Sequence, residues 1–117
     1  GESDPSCAVA IMEDEVNDGC GYDHTFAVAS RPAGATPEGV FDLIGNVWEW
    51  VSDWYSETAY ATGDVLDPTG PETGTRRVMR GASWLALDRS VLRAANRDHD
   101  DVDYIGNGVG FRCALSE

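Results

Sequence analysis

The sequence predicts a loop-dominated domain of α+β or mostly-β class, with short strands, long loops and little helix. The composition is the first reason, because 13 glycines and 5 prolines in 117 residues place turns throughout the chain. The second is the hydrophobic pattern, which alternates over short stretches and nowhere sustains a helical period. A chain of this length forms about one domain, so we expect residues 1–117 to be a single one.

Residues 1–38 are rich in acidic and turn residues, and we expect irregular structure there apart from one short strand at 25–30. Cys7 and Cys20 bracket an acidic loop in this segment. A disulfide between them would close a loop of about 14 residues and contribute roughly 3 kcal/mol in the chain-entropy account. It would also indicate an oxidising compartment. Three reduced thiols, including Cys113, are the alternative.

The clearest strand begins at Val47, because Trp48, Trp50 and Trp54 then fall on one parity of an alternating pattern. Each tryptophan side chain can bury about 150 to 250 Å². We therefore expect these three and Trp84 to form most of the core. A sugar-binding aromatic platform is the alternative.

Further elements follow in the second half of the chain. Residues 76–84 predict a strand that Gly81 stops, and residues 89–97 fit a helical turn or a strand equally well. The acidic segment 98–108 is expected to be a solvated loop, with a second cation site as its sharper alternative. Residues 108–115 predict a final strand.

The charge balance restricts the partners. The chain has 21 acidic residues against 8 lysines and arginines, a net charge of −13. Such a surface repels phosphate backbones and anionic membranes, so we expect cationic partners and no nucleic acid. No apolar run approaches the roughly 18 residues of a membrane span, so no membrane insertion is expected.

Four motifs occur together in order: "GVFDLIGNVWEWVSDWY" (39–55), "DPTGPETGTRRVMRGASW" (67–84), "LRAANR" (92–97) and "GFRCA" (110–114). Together they resemble the formylglycine-generating enzyme family, also called the sulfatase-modifying-factor domain. The resemblance covers residues 39–114 closely. It implies an atypical C-type-lectin-like fold, and it implies that this chain corresponds to the C-terminal half of the domain. The chain would then be part of a longer protein, with a shortened stand-alone variant as the alternative.

Asp42 and Glu49 offer carboxylates on either side of a glycine turn. From the residues alone, a capping Asp42 and a surface Glu49 are the simpler interpretation. Calcium takes six to eight oxygen ligands from carboxylates and carbonyls. In family members that this chain resembles, calcium is held by the residues matching Asp42, Gly45, Val47 and Glu49, so the resemblance implies a bound Ca²⁺ there.

Arginines lie inside the matching motifs of a chain with few basic residues. Buried arginines need carboxylate partners, and acids are in surplus here. We expect structural ion pairs, with the anchoring of an anionic ligand as the alternative. The residues are Arg80, Arg93, Arg97 and Arg112.

Oxidases of this family hold copper with two cysteines in the segment after the motif that ends at Trp84, since soft thiolates suit Cu(I). Here residues 86–91 contain no cysteine, and Ala86 begins the interval. Cys113 lies in "GFRCA" and matches a structural cysteine of the family. We therefore expect no copper and no oxidation of a sulfatase cysteine by this chain.

The leading hypothesis is a non-catalytic ligand-binding or structural module, stabilised by calcium. Segments 85–91 and 98–108 are predicted to form a binding face for a protein, peptide or glycan. The candidate residues are Leu85, Leu87, Asp88, Arg89, Asp98, His99, Asp100, Tyr104 and Asn107.

Two further hypotheses stay open. The chain could be part of an oxidoreductase of the same family that acts with a missing upstream domain. It could also be a lectin-fold receptor diversified by a retroelement, because residues 85–90 and 98–107 are mostly types reached by changing adenines in an asparagine codon. The predicted disulfide favours an extracellular, periplasmic or cell-surface location.

Overall fold

Four strands form one sheet in the computed structural model, which describes residues 4–14, 16–59, 61 and 68–115. The sheet order is β3-β2-β1-β4; β2 is antiparallel to both neighbours, and β4 is parallel to β1. No described residue lies in an α-helix. The predicted strand-and-loop architecture with little helix is confirmed. The strands are β1 (Trp48–Trp54), β2 (Arg76–Arg80), β3 (Asp98–Asp101) and β4 (Val109–Gly110), and short 3₁₀ turns lie at Asp18–Gly21, Pro32–Gly34 and Arg89–Leu92.

The two strands predicted with the clearest patterns pair with each other. Trp50 lies opposite Met79, Trp54 lies opposite Arg77, and the register shifts between these pairs. Such a shift marks a bulge, which bends a strand and changes the direction of the side chains that follow it. The parity that the tryptophans share in the sequence is therefore not maintained along the whole strand.

The tryptophans contribute less of the core than expected. Only Trp84 is buried, while Trp48 packs against the core from its edge. Trp50 and Trp54 stay half-buried along a surface cavity that includes Arg77, whose guanidinium lies 3.6 Å from the ring centroid of Trp54. The bulge in β1 and this cation–π contact explain why their rings remain partly exposed.

The expected acidic loop is wrong at its start, because Asp98–Asp101 forms the edge strand β3. Aspartate has a low propensity for β-strands. An oppositely charged residue across the strand pair can offset this unfavourable propensity. Arg77 lies opposite Asp100, and Arg76 lies opposite Asp101 with its Nε 3.6 Å from the carboxylate. Arg76 therefore pairs with an acid of β3 across the strands, whereas the guanidinium of Arg77 lies against the Trp54 ring.

The N-terminal segment is irregular, as predicted, but the strand expected at 25–30 is absent. The backbone N–H and C=O of Phe26 are instead bonded to the side chain of Asn46. The segment also supplies core residues that the sequence did not indicate, since Ile11 and Met12 are the largest fully buried side chains. Met12 packs with core residues from later in the chain, namely Ala82, Ala86 and Leu92.

The turn at Gly45 and Asn46 joins three parts of the chain. The N–H of Asn46 donates to the Ile11 carbonyl at 2.7 Å, and the Asn46 carbonyl accepts from the N–H of Trp84 at 2.9 Å. Gly45 has a φ of +77°, and a Cβ there would lie 2.4 Å from the Ile11 oxygen. Only glycine permits so close an approach.

The C-terminal strand is shorter than expected, because β4 ends at Gly110 and residues 111–115 are exposed. Residues 89–97, for which a helical turn and a strand were both open, contain the 3₁₀ turn Arg89–Leu92. Within the described residues, no helix has the length and apolar character needed to cross a membrane.

Candidate functional site

A cavity of about 410 Å³ opens next to Ala86, in the segment where the resemblance would place the oxidase cysteines. We call it the Trp48 cavity. Two hydrogen bonds build its wall: the N–H of Trp48 donates to the Gly108 carbonyl at 2.7 Å, and the indole N–H of Trp84 donates to the Asn107 carbonyl at 3.2 Å. The lining residues are Trp48, Ser83, Leu85, Ala86, Leu87, Asp88, Val91, Tyr104, Asn107, Gly108 and Val109.

Asp88 is the charged group of this cavity, and Ser90 fixes its carboxylate. The backbone N–H of Ser90 donates to Oδ1 and its hydroxyl donates to Oδ2, both at 2.8 Å. These bonds, first that of the N–H and then that of the hydroxyl, hold the pKa of Asp88 below its ordinary value, because they stabilise the ionised form. Asp88 caps the 3₁₀ turn with a solvent-exposed carboxylate, and it is one of the residues that line the cavity.

Five of the nine predicted ligand-binding residues line this one cavity, although two separate loops supply them. The other four lie elsewhere: Arg89 lines a different cavity, and Asp98, His99 and Asp100 lie on β3. The predicted binding face is therefore divided between the cavity and the sheet edge. The five that meet are Leu85, Leu87, Asp88, Tyr104 and Asn107.

His99 belongs to the sheet and its packing. Its ring lies 3.7 Å from that of Tyr55, measured between centroids, and Nδ1 lies 3.5 Å from a guanidinium nitrogen of Arg76. The same Tyr55 ring also contacts Arg97, whose guanidinium lies 5.6 Å from the ring centroid. These contacts give the arginines and the histidine structural partners.

The four residues predicted to hold calcium line a second cavity of about 540 Å³, the Asp42 cavity. Asp42, Gly45 and Asn46 all have positive φ angles, so the turn that precedes β1 is tightly curled. The carboxylate of Asp42 accepts the N–H of Ala29 at 2.6 Å. The lining residues are Val28, Ala29, Gly39, Val40, Phe41, Asp42, Gly45, Asn46, Val47, Glu49, Phe111 and Arg112.

Arg112 joins this turn to the end of the chain. Its Nε and one terminal nitrogen donate to the two oxygens of Glu49, both at 2.6 Å. The guanidinium also donates to the carbonyls of Phe41 and Asp42, both at 3.0 Å. The hydrogen bonds that Arg112 donates to Glu49 raise the pKa of Arg112 above its ordinary value, although partial burial lowers it. The structural ion pair expected for this arginine is confirmed, and Glu49 is not a free surface acid.

The donor set of the Asp42 cavity fits a hard cation only in part. Among the described residues, no group of three or more His, Cys, Asp or Glu side chains is arranged to hold a metal ion. Calcium would therefore need backbone carbonyls in addition to Asp42 and Glu49, as the prediction assumes. Each Glu49 oxygen accepts one bond from Arg112 and keeps a second lone pair for a metal.

The three cysteines are placed away from the Trp48 cavity. Cys7 and Cys20 form a disulfide, as predicted, and Cys113 is exposed and free. None of them lines that cavity, nor does either histidine. All five of these residues lie in the described part of the chain.

The sequence did not indicate the roles of Asn46 and Ser90 in these sites, nor the partner of Arg112. Asn46 connects the segments beneath the Asp42 cavity, Ser90 orients Asp88, and Arg112 satisfies Glu49. Only Ser90 had a local signal, since an aspartate two residues before a serine is typical of a capping turn. Asn46 and Arg112 act on residues that are 20 and 63 positions away.

Comparison with known proteins identifies the family. The sulfatase-modifying factor enzyme 1-like domain matches residues 14–117. The formylglycine-generating enzyme of Streptomyces coelicolor is 45% identical over 86 residues, which are 72% of this chain and 26% of that protein. Mouse inactive C-alpha-formylglycine-generating enzyme 2 is 37% identical over 82 residues, which are 67% of this chain and 22% of that protein.

A solved structure agrees with this assignment. PvdO from Pseudomonas aeruginosa superposes with a TM-score of 0.73 at 26% identity, over 94% of this chain and 40% of that one. The chain thus spans about a quarter of the length of these curated relatives. The expected resemblance is confirmed, and the chain belongs to the formylglycine-generating enzyme, or sulfatase-modifying factor, family.

Proposed function

We propose that this chain is a non-catalytic ligand-binding or structural module of the family, stabilised by calcium, and that it works as part of a longer protein. The Trp48 cavity is the binding site in this proposal. The Cys7–Cys20 disulfide supports a location in an oxidising compartment, at the cell surface, in a periplasm or outside the cell.

The absence of thiols from the Trp48 cavity carries the proposal. Copper-dependent oxidation of a cysteine needs thiolates that converge on one metal, and no residue lining this cavity is a cysteine or a histidine. Cys7 and Cys20 are bonded to each other, which leaves Cys113 as a single thiol. A mouse relative named as inactive offers a precedent for a family member without the activity.

An enzyme remains the second candidate, because identity to the Streptomyces coelicolor enzyme is 45% while only 26% of that enzyme is covered. For this candidate, a longer protein has to contribute further residues to the cavity. This alternative requires that the added part bring both the copper ligands and the means to activate oxygen.

The first prediction is that the chain, with its disulfide intact, neither binds Cu(I) in the Trp48 cavity nor oxidises a peptide. With Cu(I), oxygen and a sulfatase-derived cysteine peptide, the peptide mass should stay unchanged. A chromophoric chelator should retain the Cu(I) in competition. Two thiols introduced by Ala86→Cys and Val91→Cys, which line the same cavity, should instead withdraw Cu(I) from the chelator.

The control is Cys113→Ser, which removes the free thiol and should leave both measurements unchanged. Conversion of the peptide to an aldehyde, lost in Cys113→Ser, would contradict the proposed module. It would also show that this exposed cysteine reaches a metal.

A further inference from the structure

We propose that the Trp48 cavity binds a small organic cation: an ammonium group carried on an apolar body. This inference rests on the proposed function, because it names the ligand class for the site assigned there. The cavity volume of about 410 Å³ is compatible with such a ligand, since small-molecule sites measure about 300 to 1,000 Å³.

The charge of the site favours a cation. Of the described residues that line the cavity, only Asp88 is ionised at neutral pH. Ser90 holds its carboxylate in one orientation through two hydrogen bonds, and each oxygen keeps a lone pair for a ligand. A carboxylate fixed before binding loses little side-chain freedom when it pairs with an ammonium group.

Nearby arginines do not make the cavity an anion site. Arg93 attracts the Asp88 carboxylate, but Arg89 and Arg93 both line the separate cavity that also contains Leu92. Neither arginine lines the Trp48 cavity. An anion there would meet Asp88, and none of the described residues that line the cavity is cationic, in a chain whose net charge is −13.

The other walls suit an apolar body. Leu85 is 42% exposed, Leu87 is 54% exposed and Tyr104 is 45% exposed, so a ligand can cover apolar surface on all three. Trp48 and Tyr104 add two aromatic rings, whose faces attract cations. The site thus combines one carboxylate with aromatic and aliphatic walls, the complement of an amphipathic amine.

Three probes of similar shape test this inference: 2-phenylethylammonium, neutral 2-phenylethanol and anionic 3-phenylpropanoate. Each is titrated into the full chain while the NMR resonances of Leu85, Leu87 and Tyr104 are followed. The ammonium probe should shift them saturably and bind about threefold to fivefold more tightly than the alcohol at low salt. The carboxylate probe should bind more weakly than the alcohol, and 1 M salt should reduce the differences.

Asp88→Asn isolates the charge, because asparagine keeps an oxygen that can accept the Ser90 N–H. In this variant the ammonium and alcohol probes should bind equally, while the alcohol retains its affinity. Glu72→Gln is the matched control, since it removes one negative charge from a residue that does not line the cavity. The ammonium preference should survive in that variant.

Equal binding of all three probes to the parent chain would overturn the cationic ligand class and leave the non-catalytic module standing. No saturable shift with any probe would overturn the inference as well. The proposed function fails separately, through the copper and peptide assay, so the two failures are distinguishable.

Discussion

Asn46 has a left-handed backbone, with φ at +64°, and a side chain that satisfies the backbone of a distant residue. Its amide accepts from the Phe26 N–H at 2.9 Å and donates to the Phe26 carbonyl at 3.2 Å, with the residue only 7% exposed. Asparagine tolerates left-handed geometry better than most residues do. The amide chemistry and the backbone conformation therefore both select this residue type.

The second prediction separates these two contributions. Asn46→Gly removes both side-chain bonds but accepts the left-handed backbone, and it should lower the free energy of unfolding by roughly 1 to 3 kcal/mol. Asn46→Ala loses the same bonds and should cost about 1 kcal/mol more, because alanine is strained at positive φ. Urea unfolding followed by tryptophan fluorescence measures both values. Equal stabilities for the two variants would contradict the conformational contribution.

The residue type of Arg112 predicted an ion pair, but the sequence did not show that its partner is Glu49. Its place in "GFRCA" indicated a structural ion pair or an anchor for an anionic ligand. The planar guanidinium of Arg112 donates to both oxygens of Glu49 and to two backbone carbonyls at once. Lysine cannot reproduce this arrangement, because its ammonium group is a single point of donation.

At the scale of elements, the N-terminal segment is ordered by a cross-link and by burial rather than by regular structure. The Cys7–Cys20 bond closes its loop, and both sulfur-bearing residues pack against the core cluster that contains Met12. A hydrogen bond from the Cys20 N–H to the Met12 carbonyl, at 2.7 Å, connects the two sides of this loop.

The third prediction concerns this bond. Replacing both Cys7 and Cys20 by serine should lower the free energy of unfolding by roughly 3 kcal/mol, since the unfolded chain regains the entropy of an open loop of about 14 residues. Thermal melting compares the double variant with the parent, before and after reduction. Cys113→Ser is the control and should melt like the parent. A double variant as stable as the parent would show that burial of Ile11 and Met12 suffices.

Strand β3 forms although its own residues have a low propensity for β-structure. Four residues with three aspartates have low strand propensity, yet they complete the sheet opposite Arg76 and Arg77. Charged side chains on an edge strand also discourage pairing with other chains. The element thus depends on its neighbour β2 and protects the sheet edge.

At the scale of the whole molecule, calcium would connect the turn before β1 to global stability. The Asp42 cavity joins residues from the N-terminal segment, the turn and the C-terminal end. A metal that binds only the folded chain stabilises it by mass action. The fourth prediction is that Ca²⁺ at one hundred times its dissociation constant raises the free energy of unfolding by about 2.7 kcal/mol.

Melting in Ca²⁺, in EGTA and in Mg²⁺ tests this prediction. Asp42→Asn keeps an oxygen for the Ala29 N–H, so it should fold while losing most of the calcium-dependent shift. Glu72→Gln, outside the cavity, should retain the shift. Identical melting of the unsubstituted chain in Ca²⁺ and in EGTA would refute a calcium role. Arg112 would then be the only cation paired with Glu49 among the described residues.

The sequence by itself determined the fold class, strands β1 and β2 and the family, and it favoured the disulfide that the structure contains. It also indicated five of the residues that line the Trp48 cavity, and the family resemblance indicated four of those that line the Asp42 cavity. These features have local signatures: alternation, turn residues, cysteine spacing and contiguous motifs. A short segment carries such information whatever surrounds it.

Only the tertiary structure decided which segments meet. The burial of Ile11 and Met12, the bonds from Asn46 to Phe26 and the conversion of an acidic segment into β3 each depend on residues distant in the chain. It likewise decided that Asp98, His99 and Asp100 lie apart from the Trp48 cavity. Such outcomes escape sequence patterns, because burial and hydrogen bonding between distant residues override local propensity.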